Sequence, residues 1–212
     1  YVMLETGQPL HFYDADKLPN GVIEVRMAKE GEILKTLDGN DRTLTSEDIV
    51  ISDGKRAIGL AGVMGGYDTE ITENTKNILI ETAIFDPIKI RKTAQKLLRS
   101  EASNRFEKGL DANRTYLAMN RACHLLEKIA GAEVVGGMPA YDTTEKEDKK
   151  IAITFENINR ILGMEISKTS VLDVFRKLDF GCEYNGKCAT YQETEEDLAK
   201  VEEITVLVPR RR

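Results

Sequence analysis

Tryptophan is absent from this 212-residue sequence, histidine occurs twice, and the three cysteines, Cys123, Cys182 and Cys188, form neither an even set nor a CxxC pair. An odd, unpaired count argues for reduced thiols and against both a disulfide framework and a zinc site, so no metal is expected here. With His11 and His124 alone, no His-x-x-x-His motif can be written and no Ser-His-Asp order is legible. No apolar run approaches the roughly 20 residues of a membrane-spanning helix, and no signal peptide opens the chain, which argues against a membrane partner. Positive charge is also in deficit: 30 Lys and Arg stand against 36 Asp and Glu, a net charge of −6. That balance speaks against a surface devoted to wrapping nucleic acid, although a local basic patch stays compatible with it. A cytoplasmic protein is the expectation these absences leave.

What is present suffices for a core. At 41% hydrophobic, the chain fits one large domain or a domain with a small companion, and the second is favoured. It starts with Tyr1 and stops at Arg210-Arg211-Arg212 directly after a strand-like ITVLVP, so both ends are expected to be cut from something longer.

The most informative run is residues 59–105, which brings together a glycine-rich turn, a carboxylate inside an apolar strand and a short polar elbow. These read as the walls of one pocket. Residues 77–85 alternate into two faces, Ile78, Ile80, Thr82 and Ile84 on one, Leu79, Glu81, Ala83 and Phe85 on the other. Both faces are largely apolar and predict cover on both sides. Glu81 is the anomaly, since an ionised carboxylate there costs several kcal/mol unless a neighbour or a ligand donates hydrogen bonds to it. Gly59, Gly62, Gly65 and Gly66 permit a tight turn and leave amide groups bare of side chain. The spacing is neither a Walker loop nor a dinucleotide fingerprint, so it reads either as a pocket wall or as a plain turn between strands.

Around this run the order is regular. Gly7-Gln8-Pro9 fixes a turn that sets His11 rigidly, as a satisfied loop residue or a site residue. Residues 21–61 read as a β-meander, with VIEVRMA, ILKTL and DIVI separated by KEGE and LDGND turns and a tight hairpin at Asp53-Gly54. Asp86-Pro87 starts a helix ending near Arg99, with Ile90, Ala94, Leu97 and Leu98 on one face. After the elbow at residues 100–105, Asp111 caps a longer helix with Leu117, Ala118, Ala122, Leu125 and Ile129 inward and Gly131 past its end. His124 on that helix reads as a packing or surface residue. Arg105, Glu107 and Lys108 form either a salt-bridged face or a phosphate contact. MPAYDTTEKEDKK is apolar-poor and charged and reads as a linker. Beyond it come a strand, IAITF, a helix closed by Gly163, a Ser167/Thr169-capped helix closed by Gly181, and strands near CEY and ITVLV.

Four stretches, LETGQPLHFYD, GLAGVMGG, NILIETAIF and SEASNRFEKGLD, resemble in order the editing domain of the bacterial phenylalanyl-tRNA synthetase β subunit, over residues 1–138. The tail resembles the small domain that follows in the same subunit, whose helices are similar to a winged-helix fold. The resemblance implies an α+β fold: a β-rich editing domain (residues 1–138) with mixed or sandwich-like sheets and packed helices, a charged linker (139–150), and a small helical, winged-helix-like domain (151–212). It implies hydrolysis of tyrosine wrongly esterified to the phenylalanine tRNA, His11 and Ser100 serving the reaction and Glu81, Gly62, Gly65 and Ala102 holding the substrate. The family's elbow more often has threonine where Ser100 stands, and Phe12-Tyr13 departs from its usual small-then-aromatic pair. The other reading the resemblance allows is a non-catalytic scaffold that orients subunits or tRNA. No cofactor is expected in this stretch; the full enzyme, implied to be a heterotetramer of two α and two β subunits, uses ATP and magnesium. The stretch VLDVFRKLDFG sets Arg176 and Lys177 against Asp173 and Asp179, so sequence-specific DNA binding is not expected.

Overall fold

The computed structural model describes residues 1–18, 21–144, 147–190 and 192–209, so the terminal Arg210-Arg211-Arg212 and Glu145-Lys146 of the expected linker lie outside the described residues. The chain divides into two units, Tyr1–Tyr141 and Asp142–Arg212. The expected α+β class holds in both.

In the first unit a short helix α1 (Val2–Thr6) ends at Gly7, whose φ of 78° is the left-handed conformation glycine adopts without strain. It leads into β1 (Leu10–Asp14). β1 pairs antiparallel with β8 (Ile78–Thr82), His11 opposite Glu81 and Tyr13 opposite Leu79. Between them lie β2 (Glu24–Met27), β3 (Ile33–Lys35), β4 (Asp41–Thr43), β5 (Ile49–Ser52), β6 (Ala57–Leu60) and β7 (Met64–Gly65). The sheet order is β2-β5-β6-β7, so the meander expectation needs a correction: β3 and β4 leave the sheet as a separate hairpin. β4 begins on Asp41, the last residue of the LDGND stretch read as a turn. Asp38 holds the hairpin's end, accepting from the Thr36 hydroxyl and pairing with Arg42 at 2.5 Å, while Arg42 also donates to the Leu97 carbonyl. The Asp53-Gly54 hairpin forms as expected: Asp53 accepts from the amides of Lys55 and Arg56, and Gly54 takes a φ of 87°.

Helix α2 (Pro87–Lys96) starts where the sequence places it, with Asp86 accepting from the amides of Ile88 and Lys89 and proline at the first position. Ile90 and Ala94 are buried, contributing roughly 1.5–3 kcal/mol for a side chain of isoleucine size. The polar elbow is itself a helix, α3 (Glu101–Phe106), capped by Ser100 in a reciprocal capping box with Ser103. Helix α4 (Asn113–Leu125) continues as one wider π turn over Leu126–Ala130 and stops at Gly131. Ala118 and Ala122 are buried, but Leu117 is 65% exposed and Ile129 78%, so those two do not face inward as read. The burying face of α4 is narrow: its buried residues are the two alanines, while Arg114 and Arg121 reach α1 through the Thr6 carbonyl and the Glu5 carboxylate.

The second unit has helices α5 (Phe155–Leu162) and α6 (Lys168–Lys177) with strands β9 (Lys149–Thr154), β10 (Gly181–Tyr184), β11 (Lys187–Cys188) and β12 (Glu203–Val208), in the order β11-β10-β12-β9. β9 starts inside the stretch read as linker, since Lys149 and Lys150 pair with Val208 and Leu207. Asp179, with φ 63°, makes the left-handed step after α6, and Gly181 instead opens β10. Arg176 and Lys177 both pair with Asp173.

One buried carboxylate ties α2 to the sheet. Asp48, 1% exposed, accepts from the Thr93 hydroxyl at 2.7 Å, the Lys96 ammonium at 2.6 Å and the Thr45 amide at 2.9 Å. Burial pushes its pKa up, but these donors outweigh it and the net shift is downward. A depressed carboxyl stabilises the fold above the ordinary aspartate value of about 4 and loses that contribution as pH falls through its folded value. Asp48→Asn is therefore expected to cost about 2 kcal/mol at pH 7, and much less once acid has protonated the parent. Urea melts at pH 7 and pH 3 check this; an equal cost at both pH values contradicts it.

Candidate functional site

The β1–β8 ladder decides which side chains meet. Directly opposed residues of an antiparallel pair share a face, so His11 and Glu81 lie side by side and Tyr13, two residues along, sits diagonal to Glu81. The Tyr13 hydroxyl donates to Glu81 Oε2 at 2.7 Å, and the His11 and Tyr13 rings meet edge to face with centroids 4.5 Å apart. The neighbour that Glu81 requires is thus a tyrosine. Gln8 ties the strand ends together, its amide donating to the carbonyls of Pro9 and Ala83.

The glycine turn between β6 and β7 closes over this face. A Cβ on Gly65 would lie 2.1 Å from His11 Cε1 and 2.4 Å from Nε2, so the imidazole occupies the space a side chain would fill. Gly62 has a φ of 67°, and Phe106, Phe85 and Ile90 come within 3.0–3.2 Å of where its Cβ would be. Ser100 joins the turn to α3 by donating to the Val63 carbonyl at 2.6 Å while accepting from the Ser103 amide.

A cavity of about 80 Å³ results, lined by His11, Tyr13, Glu81, Gly62, Gly65, Ala102, Phe85 and Phe106 among others. The glycine turn, the carboxylate strand and the elbow do wall one pocket. His11, Glu81, Gly62, Gly65 and Ala102 all stand on it. Ser100 does not: its hydroxyl is spent on the helix cap and on Val63, and it places Ala102 and Phe106 in the wall. His124 is exposed on α4, and Arg105 and Glu107 pair with Glu101 and Arg99, which makes that run a salt-bridged face.

A larger recess of about 430 Å³ lies elsewhere, lined by residues including Lys29, Lys35, Lys55 and Arg56. Size alone does not make it the site. Arg56 is paired with Asp68, and Glu32 in its wall with Arg26. Among the described residues two buried side-chain atoms have no partner, Gln8 Oε1 and His11 Nε2, and the second belongs to a residue on the wall of the smaller cavity. Burial lowers the His11 pKa to about 4, so the ring is neutral at physiological pH and free to hydrogen-bond through Nε2. Burial also raises the Glu81 pKa, the Tyr13 hydrogen bond acting against it. Tyr13 is raised in turn, by burial first and by the adjacent carboxylate second.

Sequence reasoning missed Tyr13 and Gln8. Tyr13 was within reach, because a strand pairing of the two motifs places it on the face of His11; Gln8 carried no signal beyond its place in the turn.

The fold and site define an α+β domain with a small, half-open cavity of mixed polar and apolar lining between a strand pair and a glycine turn. Residues 1–131 match the family model described as the B3/4 domain, and the chain belongs to that family. It is 44% identical over 213 residues to the phenylalanine–tRNA ligase β subunit of Staphylococcus haemolyticus, covering 100% of this chain and 25% of that protein. It is 45% identical over 181 residues to the β subunit of the same name from Bacillus cereus, covering 85% of this chain and 22% of that one. The chain thus spans about a quarter of the length of these curated relatives. Among solved structures it is similar to an N-terminal fragment of the phenylalanyl-tRNA synthetase β subunit from Pyrococcus horikoshii, at 13% identity and a TM-score of 0.42, over 100% of this chain and 58% of that one. The resemblance read from the motifs is borne out by the family match and the curated relatives.

Gly65→Ala tests the fit of His11 against the turn. The added methyl should drive the ring outward, raising the His11 titration midpoint from about 4 toward 6.5 at a stability cost of about 1–3 kcal/mol. NMR titration of the His11 and His124 ring signals reads this directly. An unmoved His11 midpoint in a folded variant would show that the glycine does not set the ring's burial.

Proposed function

We propose that this chain is the editing region of a phenylalanyl-tRNA synthetase β subunit, hydrolysing the ester that links tyrosine to the phenylalanine tRNA with a positioned water. The carrying observation is Glu81, a half-buried carboxylate on a cavity wall whose Oε2 is held by Tyr13 while Oε1 has no partner among the described residues. A pocket shaped for phenylalanine rejects an isostere that merely adds a hydroxyl by only on the order of 10², so a second site has errors to clear. Glu81 Oε1 is the acceptor for the tyrosine phenol. Phenylalanine in the same place leaves that oxygen desolvated and unpaired, which costs roughly 1–3 kcal/mol or more.

His11, neutral at physiological pH, is a poor proton sink and a good hydrogen-bonding partner for water, so its role is to orient the nucleophile, alone or with the tRNA's terminal hydroxyl. Backbone amides of the turn near Gly62 and Gly65 hold the substrate, and Ala102 keeps the wall low. Ser100 serves indirectly, by fixing α3 to Val63. A tyrosyl group exceeds the cavity as it stands, and the ring that can yield is His11, which rests on bare Gly65. The whole enzyme in this reading is an aminoacyl-tRNA synthetase, a cytoplasmic ligase of protein biosynthesis that works with an α subunit, as two α and two β, on phenylalanine tRNA. ATP and magnesium act at an aminoacylation site outside this chain.

A second reading, a scaffold that orients tRNA or subunits, draws on one observation: the cavity of about 80 Å³ is well below the roughly 300–1,000 Å³ of ordinary ligand pockets. Glu81→Ala in the full enzyme separates the two. Editing predicts weaker clearance of Tyr-tRNA, by about tenfold or more, with phenylalanine activation nearly unchanged. The scaffold predicts a changed melting temperature with the preference for Tyr-tRNA intact. The isolated chain is expected to deacylate little, because the tRNA is held by the whole enzyme.

A further inference from the structure

We infer that Tyr13 is the residue that positions Glu81 for hydroxyl recognition: its phenol anchors Oε2 from within the core, so that Oε1 alone is left to the cavity as the ligand's acceptor. The inference rests on the editing reading and adds a specificity-determining residue to it. Three observations carry it. The Tyr13 hydroxyl lies 2.7 Å from Oε2, the only side-chain hydrogen bond of Glu81 among the described residues. Oε1 is not sealed off, since among the described residues the unpartnered buried side-chain atoms are confined to Gln8 and His11. Tyr13 itself cannot act as a removable plug, being 1% exposed, with its ring against His11 and its hydroxyl 3.4 Å from where a Cβ on Gly59 would be.

The arrangement assigns the two oxygens different tasks. A carboxylate free to rotate could offer either oxygen, or turn away, and would lose discrimination to disorder. Held at Oε2 by a donor, it stays aimed, and that hydrogen bond favours the charged form against the burial that raises its pKa. No other charge does this work: the titratable groups on the cavity wall are His11 and Tyr13 from β1 and Glu81 from β8, while the glycine turn and α3 bring none. The phenol that recognises Glu81 from inside the protein has the chemistry of the group to be recognised from outside.

Tyr13→Phe keeps the ring and its packing and removes only the donor. In the synthetase carrying this chain, the ratio of Tyr-tRNA to Phe-tRNA deacylation should fall about tenfold, with the acid limb of Tyr-tRNA clearance moved to higher pH. In the 212-residue chain alone, the Glu81 carboxyl carbon, assigned by its loss in Glu81→Gln, should titrate at higher pH in Y13F than in the parent. That second arm needs no substrate, so a parent enzyme that fails to clear Tyr-tRNA sinks the editing reading while the titration still judges Tyr13. Because Tyr13 acts through Glu81, Y13F should have no further effect on the ratio in the E81Q background. An unchanged ratio with an unchanged Glu81 midpoint overturns the inference, as does full additivity of the two changes. Should Y13F fail to fold, folding restored in Y13F/E81Q supports the inference, and folding not restored assigns Tyr13 to the core and overturns it.

Discussion

The antiparallel pairing of β1 with β8 is the constraint on which the site depends. Two segments far apart in sequence contribute a histidine, a tyrosine and a carboxylate to one face only because the register sets His11 opposite Glu81. A slip of one residue would turn Glu81 to the other face and replace it with Ile80 or Thr82. Both ends of the ladder are pinned. At one end Gln8 bonds the Pro9 and Ala83 carbonyls; at the other Asp14, buried, accepts from the Thr75 hydroxyl at 2.7 Å and from the Asp16 amide. These polar ties lie outside the cavity, and they fix its chemistry more firmly than any residue inside it.

Much of this was legible from residue order. Asp86-Pro87 announces the start of α2, Asp53-Gly54 the hairpin, and Glu81 in an apolar strand the need for a partner, because each rests on local physics: a cap, a left-handed step, a desolvation cost. The failures share the opposite character. Leu117 and Ile129 fit a helical stripe, yet the stripe finds no layer to cover it, and periodicity cannot report what lies opposite. The β3–β4 hairpin was hidden because its strands are short and one of them, Asp41–Thr43, is wholly polar in composition. Ser100 was read for its hydroxyl alone. Its place before Glu101 and three residues ahead of Ser103 is a capping pattern, and capping is where that hydroxyl goes.

Electrostatics divides the first unit into two kinds of buried acid. Asp48 sits among donors that more than offset its burial, so its pKa falls and it serves as a structural tie between sheet and helix. Glu81 has one donor against heavy desolvation, and its pKa rises. The first is finished within the protein; the second is left partly open, beside a histidine whose Nε2 is also unmatched. Unfinished polar groups of this kind cost stability and persist where a ligand completes them. The larger recess near Lys55 and Arg56 is roomier, but Arg56 and Glu32 in its wall are already paired with Asp68 and Arg26, and neither of the unpartnered buried side-chain atoms lies in it.

Partial satisfaction is also what discrimination by a buried carboxylate demands. Were Glu81 fully hydrogen-bonded by the protein, a ligand's hydroxyl would gain nothing over a hydrogen, and tyrosine would be worth no more than phenylalanine to the cavity. Were it wholly unpaired, burial would drive it to take up a proton, and a neutral acid that donates its own hydrogen is a poorer reader of a phenol. One internal donor places it between these limits, opposing the protonation that burial favours while leaving one oxygen to a partner that donates. The cost of that incompleteness falls on a strand pair already pinned at both ends, where the fold can carry it.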